Sequence, residues 1–147
     1  MRCFLYLLLL MGLSCSAQKK TTSDQESAIP QLVLHDTHSH LEASHFEVIK
    51  DEKSLKLLFA QINKTRKPGI PLPQVDFKKE TLLFYGPGMI KGMRNLEIYI
   101  QKESQDSIKI VLLDTFDSPK GELITTSPFC LYSLPKTGKT IVFIEKE

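Results

Sequence analysis

Tryptophan is absent from this chain, and cysteine occupies only three of its 147 positions. Cys3 and Cys15 fall at the start, which leaves Cys130 alone in the rest of the chain, so no disulfide can form there. Neither sign of charge dominates: 19 Lys and Arg stand against 17 Asp and Glu, for a formal net charge of +2. That balance argues against nucleic acid as a partner, because general binders carry a strong basic excess. No apolar run approaches the ~20 residues that span a bilayer. Walker, nucleophile-elbow and kinase motifs and paired cysteine ligands are missing too. The reading is therefore non-enzymatic, with no catalytic residue, no cofactor and no metal ligand assigned. What is present is ordinary globular composition, 41% hydrophobic and 24% charged, at a length suited to one domain.

The opening segment reads as an address. Met1 and Arg2 start positive, and residues 4–13 are apolar apart from Gly12. This fits a signal peptide over residues 1–14. Two cleavage readings follow from Gly12-Leu13-Ser14-Cys15-Ser16-Ala17. In the first, the segment resembles a bacterial lipobox, cut before Cys15, whose thiol then carries lipid; Gly12 departs from the branched apolar residue usual there. In the second, an ordinary small-residue site is cut after Ala17. Lipidation at Cys15 is preferred, because the cysteine sits just past the apolar run and a polar tether, residues 15–30, follows it. The expected location is the cell envelope, as an exported outer-membrane lipoprotein held to the membrane through its lipid.

Residues 31–147 read as one domain. Residues 31–36 and 46–50 are short strand candidates. Leu55, Leu58, Phe59 and Ile62 recur on one helical face, so a helix is expected over residues 51–64. Asp51 serves as its cap, Lys64, Arg66 and Lys67 crowd its end, and Pro68-Gly69 stops it. Asn63-Lys64-Thr65 fits a glycosylation triplet, which carries no weight in a bacterial lipoprotein. Beyond Val75 the pattern is strands: residues 81–85, then Leu96, Ile98 and Ile100 alternating with polar partners, then a more central strand over residues 108–113. Residues 116–121 read as a loop, and residues 129–134 and 140–145 as the last strands. Short strands joined by tight turns predict antiparallel pairing. The fold class is α+β, mostly antiparallel sheet with one N-terminal helix packed on a face. Cys130, inside Phe129-Cys130-Leu131-Tyr132, reads as a small buried hydrophobe, since no base accompanies it as a nucleophile would require.

Two regions carry candidate chemistry. His35, His38, His40 and His45 are all four histidines of the chain. They read first as a polar exposed loop or edge strand, on which His38 and His40 would share a face, and alternatively as a small-ligand or metal site of the envelope. Their spacing matches neither the metalloprotease nor the deaminase pattern. The second region is Gly86-Pro87-Gly88-Met89-Ile90-Lys91-Gly92-Met93-Arg94. A strand follows it instead of a helix, so it offers no phosphate cradle. It reads either as a wide strand connection or as a partner-binding loop presenting Met89, Ile90 and Met93, with Lys91 and Arg94 at its edge and Gly92 within it. Adaptable Met side chains suit such surfaces.

Phe46-Glu-Val-Ile-Lys-Asp51, the helix, Pro68-Gly-Ile-Pro-Leu-Pro73, Val75-Asp-Phe77, Leu96-Glu-Ile98, Ser127-Pro-Phe129 and Leu134-Pro-Lys136 together resemble the PrcB protease-complex subunit family. The similarity covers residues 46–147, and more loosely 31–45. It implies a bacterial exported domain, often lipid-anchored, that acts as a non-catalytic partner of another exported protein, a protease. The family's Thr-Gly-Gly-Tyr motif falls on Lys91, Gly92, Met93 and Arg94, where only Gly92 matches. The expected partner surface therefore departs from the family's.

Overall fold

A computed structural model of the chain describes residues 29–116 and 124–145. The expected signal peptide, Cys15, the tether up to residue 28 and residues 117–121 of the expected loop lie outside the described residues. In chain order the elements are β1 Gln31–Asp36, β2 His45–Ile49, α1 Glu52–Ile62, β3 Glu80–Gly86, β4 Ile90–Lys91, β5 Arg94–Glu103, β6 Ser107–Phe116, β7 Thr125–Thr126, β8 Phe129–Pro135 and β9 Thr140–Glu145. The class is α+β, mostly antiparallel sheet with a single helix among the described residues.

Two sheets and the helix stack in three layers. The central sheet has the order β1-β8-β3-β2, the second has β5-β6-β9, and β4 pairs with β7 alone. Alternation along β3 and β8 explains the stacking, since successive side chains point to opposite faces. Leu82, Phe84, Phe129 and Leu131 face α1, where they meet Leu55, Leu58, Phe59 and Ile62. Leu83, Tyr85, Cys130, Tyr132 and Leu134 face the second sheet, where they meet Leu96, Ile98, Ile108, Ile110 and Leu112. Both faces of the central sheet are thus covered, and its inner strands read as unbroken apolar runs for that reason. Each fully buried Leu or Phe contributes roughly 1.5–3 kcal/mol through burial alone.

Asp51 caps α1 as expected: its Oδ1 accepts the Ser54 N–H at 2.8 Å. The far end differs from expectation. The helix stops at Ile62, with Asn63 as C-cap, and no basic residue lies in its last turn. The Asn63 side chain is the cause. Its Nδ2 donates to the Ile70 carbonyl at 2.9 Å and its Oδ1 accepts the Ile70 N–H at 2.8 Å, which turns the chain back.

Among the described strands pairing is antiparallel except between β6 and β9, which run parallel in register from Ser107–Thr140 to Leu112–Glu145. Tight turns dictate antiparallel pairing only for strands joined directly, as β5 and β6 are. Between β6 and β9 the chain passes through β7 and β8, and that crossover frees the direction. The strand over residues 108–113 is central as expected, since β6 lies between β5 and β9. Phe116, expected in a loop, instead closes β6 opposite Arg94.

Candidate functional site

The connection after β3 is a built structure and not a free loop. Gly88 has φ of +88°, and a Cβ there would lie 2.7 Å from the Ala43 carbonyl carbon. This close approach seats the chain on residues 42–43, and the Met89 N–H donates to the Glu42 carbonyl at 3.2 Å. Ile90 and Lys91 then pair with Thr126 and Thr125 as β4 and β7. Gly92 has φ of +90°. Its N–H donates to the Ile124 carbonyl at 2.7 Å, and its own carbonyl accepts the Thr126 hydroxyl at 2.6 Å. Arg94 starts β5. Residues 86–94 therefore combine a turn, a short strand and a second glycine turn, where a wide connection or an open loop was expected.

This scaffold holds large apolar side chains out of the core. Met89 is 58% exposed, Met93 41%, Phe116 53% and Ile124 58%. Lys91 is exposed, and Ile90 is half-buried in the strand pair. Hydrogen bonding and register bring three of these positions together, since Met93 lies between Gly92, bonded to Ile124, and Arg94, paired with Phe116. The Arg94 guanidinium carbon sits 5.0 Å above the Phe116 ring, a cation–π arrangement. Arg94 Nη1 also lies 3.5 Å from Asp114 Oδ1, both side chains being half-buried. Burial pushes the Asp114 carboxyl up from its ordinary range, and the Arg94 charge offsets part of this. Phe116, Ile124 and Asp114 escaped sequence reasoning. Phe116 and Ile124 are apolar residues beside a Pro- and Gly-containing stretch, and that misplacement is the signal that could have found two of them.

The histidines do not form one cluster. Thr37 to Leu41 is a tight turn pinned to Ser127: Ser127 N–H donates to the Thr37 carbonyl at 3.0 Å, and its Oγ accepts the His40 N–H at 3.0 Å. His38 makes a single bridge to Ser127 and His40 has φ of +58°, so the two share no strand face. Their ring centroids are 6.4 Å apart. His45 starts β2 and pairs with Glu47 at 3.3 Å. His35 lies elsewhere, in a groove of about 290 Å³ between β1, β5 and β8 that it lines together with Arg94, Glu97 and Tyr132. Among the described residues no three His, Cys, Asp or Glu side chains gather to hold a metal ion.

Cys130 is buried, and desolvation pushes its thiol up to about 12. The thiolate, the reactive form, is therefore suppressed. No helix among the described residues is long and apolar enough to cross a membrane. Comparison with protein-family models, with curated proteins and with solved structures finds no match for this chain.

Proposed function

We propose that this chain is an exported, lipid-anchored, non-enzymatic domain that binds another exported protein of the cell envelope. The observation that carries the reading is the exposure of Met93, Phe116 and Ile124, whose positions lie together on hydrogen-bonded backbone, with exposed Met89 on the turn before them. Neighbouring exposed apolar side chains on a rigid scaffold suit interaction surfaces. Arg94, poised over Phe116, adds a residue type enriched in binding hot spots. The anchor rests on Cys15 and the apolar run before it. The partner class, a protease, rests on the family resemblance, with Lys91, Gly92, Met93 and Arg94 replacing the family's motif and hence altering the partner or the contact.

The test is co-purification of the tagged full-length chain from its native envelope, with mass spectrometry of what accompanies it. One exported protein in stoichiometric amount supports the reading. Met89→Gln combined with Met93→Gln then abolishes capture without lowering the melting temperature, because neither side chain belongs to a core cluster. Capture that survives the double substitution removes the site assignment, and absence of any reproducible partner removes the binding reading itself. The histidine alternative gains no comparable observation.

A further inference from the structure

The second sheet ends in two edges of different kinds. β5 carries exposed Glu97, Lys102 and Glu103, and its register shifts between Ile100 and Lys102. Charges and bulges of this sort keep edge strands from pairing with other chains. The edges of the central sheet are guarded as well: β1 has a register shift between Leu32 and Leu34, and β2 is five residues long with Glu47 at its centre. β9 has no such device. It reads Thr140-Ile-Val-Phe-Ile-Glu145, uncharged until its last residue, free of proline, and in unbroken register with β6. No described strand pairs with its outer side.

Its side chains divide cleanly between two faces. Ile141 and Phe143 pack toward the central sheet, where the Phe143 ring lies 4.6 Å from that of Phe46. Val142, 40% exposed, and half-buried Ile144 occupy the opposite face. There Ile144 stands beside buried Val111, and Val111 beside Tyr99, an apolar row across that face of the sheet.

We propose that β9 pairs with β9 of a second copy of this chain, antiparallel across a two-fold axis, so that the two second sheets become one continuous sheet. Complementarity selects this occupant. An axis at Val142 sets Thr140 opposite Ile144 and Ile141 opposite Phe143, so uncharged positions meet uncharged ones and each face continues its own kind. The other free edges of the two larger sheets would bring Glu47, Glu97 or Lys102 against this strand or lose register at a shift, and β4 and β7 are only two residues long. The contact lies on β9, away from the Met89–Phe116 surface, and stands independently of that surface's partner.

Sedimentation velocity of the full chain in detergent tests it, together with hydrogen exchange of the β9 amides. The expected result is a dimer whose β9 amides are protected, and protection that falls on dilution. Val142→Lys places two lysines opposite each other at the axis and yields a monomer that still unfolds cooperatively, with the melting temperature lowered by the lost association and by Lys109 opposite residue 142. Val142→Cys keeps the edge uncharged and, on oxidation, gives a dimer linked through residue 142, which peptide mass spectrometry locates. A monomeric wild-type chain overturns the proposal, as does a dimer that persists in Val142→Lys or an oxidised Val142→Cys chain with no linkage at residue 142.

Discussion

Arg66 closes the turn behind the helix onto Asp36 at the end of β1, with Nη2 2.5 Å from Oδ1 and Nη1 3.2 Å from Oδ2. The same guanidinium donates to the His38 carbonyl, and the Asp36 carboxylate accepts the His38 N–H at 2.8 Å. One ion pair thus joins the helix exit, the first strand and the histidine turn. Burial pushes the Asp36 carboxyl up, but Arg66 and the His38 N–H outweigh it and hold it below its ordinary 3.8.

Arg66→Gln is expected to cost about 1–2 kcal/mol at neutral pH, the range for a charge-assisted hydrogen bond that water partly reaches. A carboxyl lowered by folding contributes stability above its unfolded value of 3.8, lost as pH falls through the lower folded value. The gap between wild type and variant therefore narrows on acidification. Urea denaturation across that range checks it, and a gap constant with pH would mean that Arg66 acts through packing.

Leu83 and Phe84 are neighbours on β3 that point into different cores. Leu83→Ala and Phe84→Ala should each destabilise by about 2–5 kcal/mol, the range for large-to-small changes in a packed interior. Denaturant midpoints measure both. A sheet with one wet face would show a large loss at only one of the two.

Gly88→Ala should destabilise by about 1–3 kcal/mol, the scale of a strained backbone position. It meets both a positive φ and the Ala43 carbonyl carbon at 2.7 Å. The same variant should weaken capture of the partner, because Met89 loses its seat on residues 42–43. Thermal melts and the co-purification assay read the two effects separately.

Arg94→Gln should push the Asp114 carboxyl still higher, since Arg94 is what offsets its burial. A carboxyl raised by folding contributes stability below its unfolded value of 3.8, lost as pH rises through the folded value. The variant therefore falls further behind wild type as pH rises through the acid range. Carbon NMR titration of the Asp114 carboxyl decides it, and an unmoved titration would dissociate the pair.

Cys130 should resist alkylation in the folded chain and react on unfolding, as a buried thiol pushed up to about 12 must. Mass spectrometry of the peptide containing Cys130, with and without denaturant, gives the answer. Rapid modification of the native chain would mean that the core between the sheets opens readily.

Local patterns were legible where one physical rule acted alone. The α1 face, the Asp51 cap, the alternation of β5 and the burial of Cys130 each follow from periodicity or capping chemistry within a few residues. Prediction failed where distant chain intervened. Asn63 ends α1 early because Ile70 returns to meet its side chain. Lys91 is a strand residue because Thr125 lies beside it. His38 and His40 leave the strand pattern because Ser127 binds the turn that holds them. At the candidate site, Met89 and Met93 stood out as apolar residues in a turn-rich stretch, whereas the placing of Phe116 and Ile124 beside Met93 depends on pairings with Arg94 and Gly92 that are distant in sequence.

By itself the order of residues determined the helix, the longer strands and which of their faces are apolar, since those follow from backbone period and side-chain solvation. It also set the charge balance that leaves the surface without a dominant sign. Only the tertiary structure decided that the two faces of β3 and β8 meet different layers, that β9 runs parallel to β6, and that Arg66 reaches Asp36 while Arg94 reaches Asp114 and Phe116. The reason is distance along the chain. Those contacts join residues whose nearness depends on how whole layers stack and how crossovers run, and burial rewards the stacking as a whole and not any one segment.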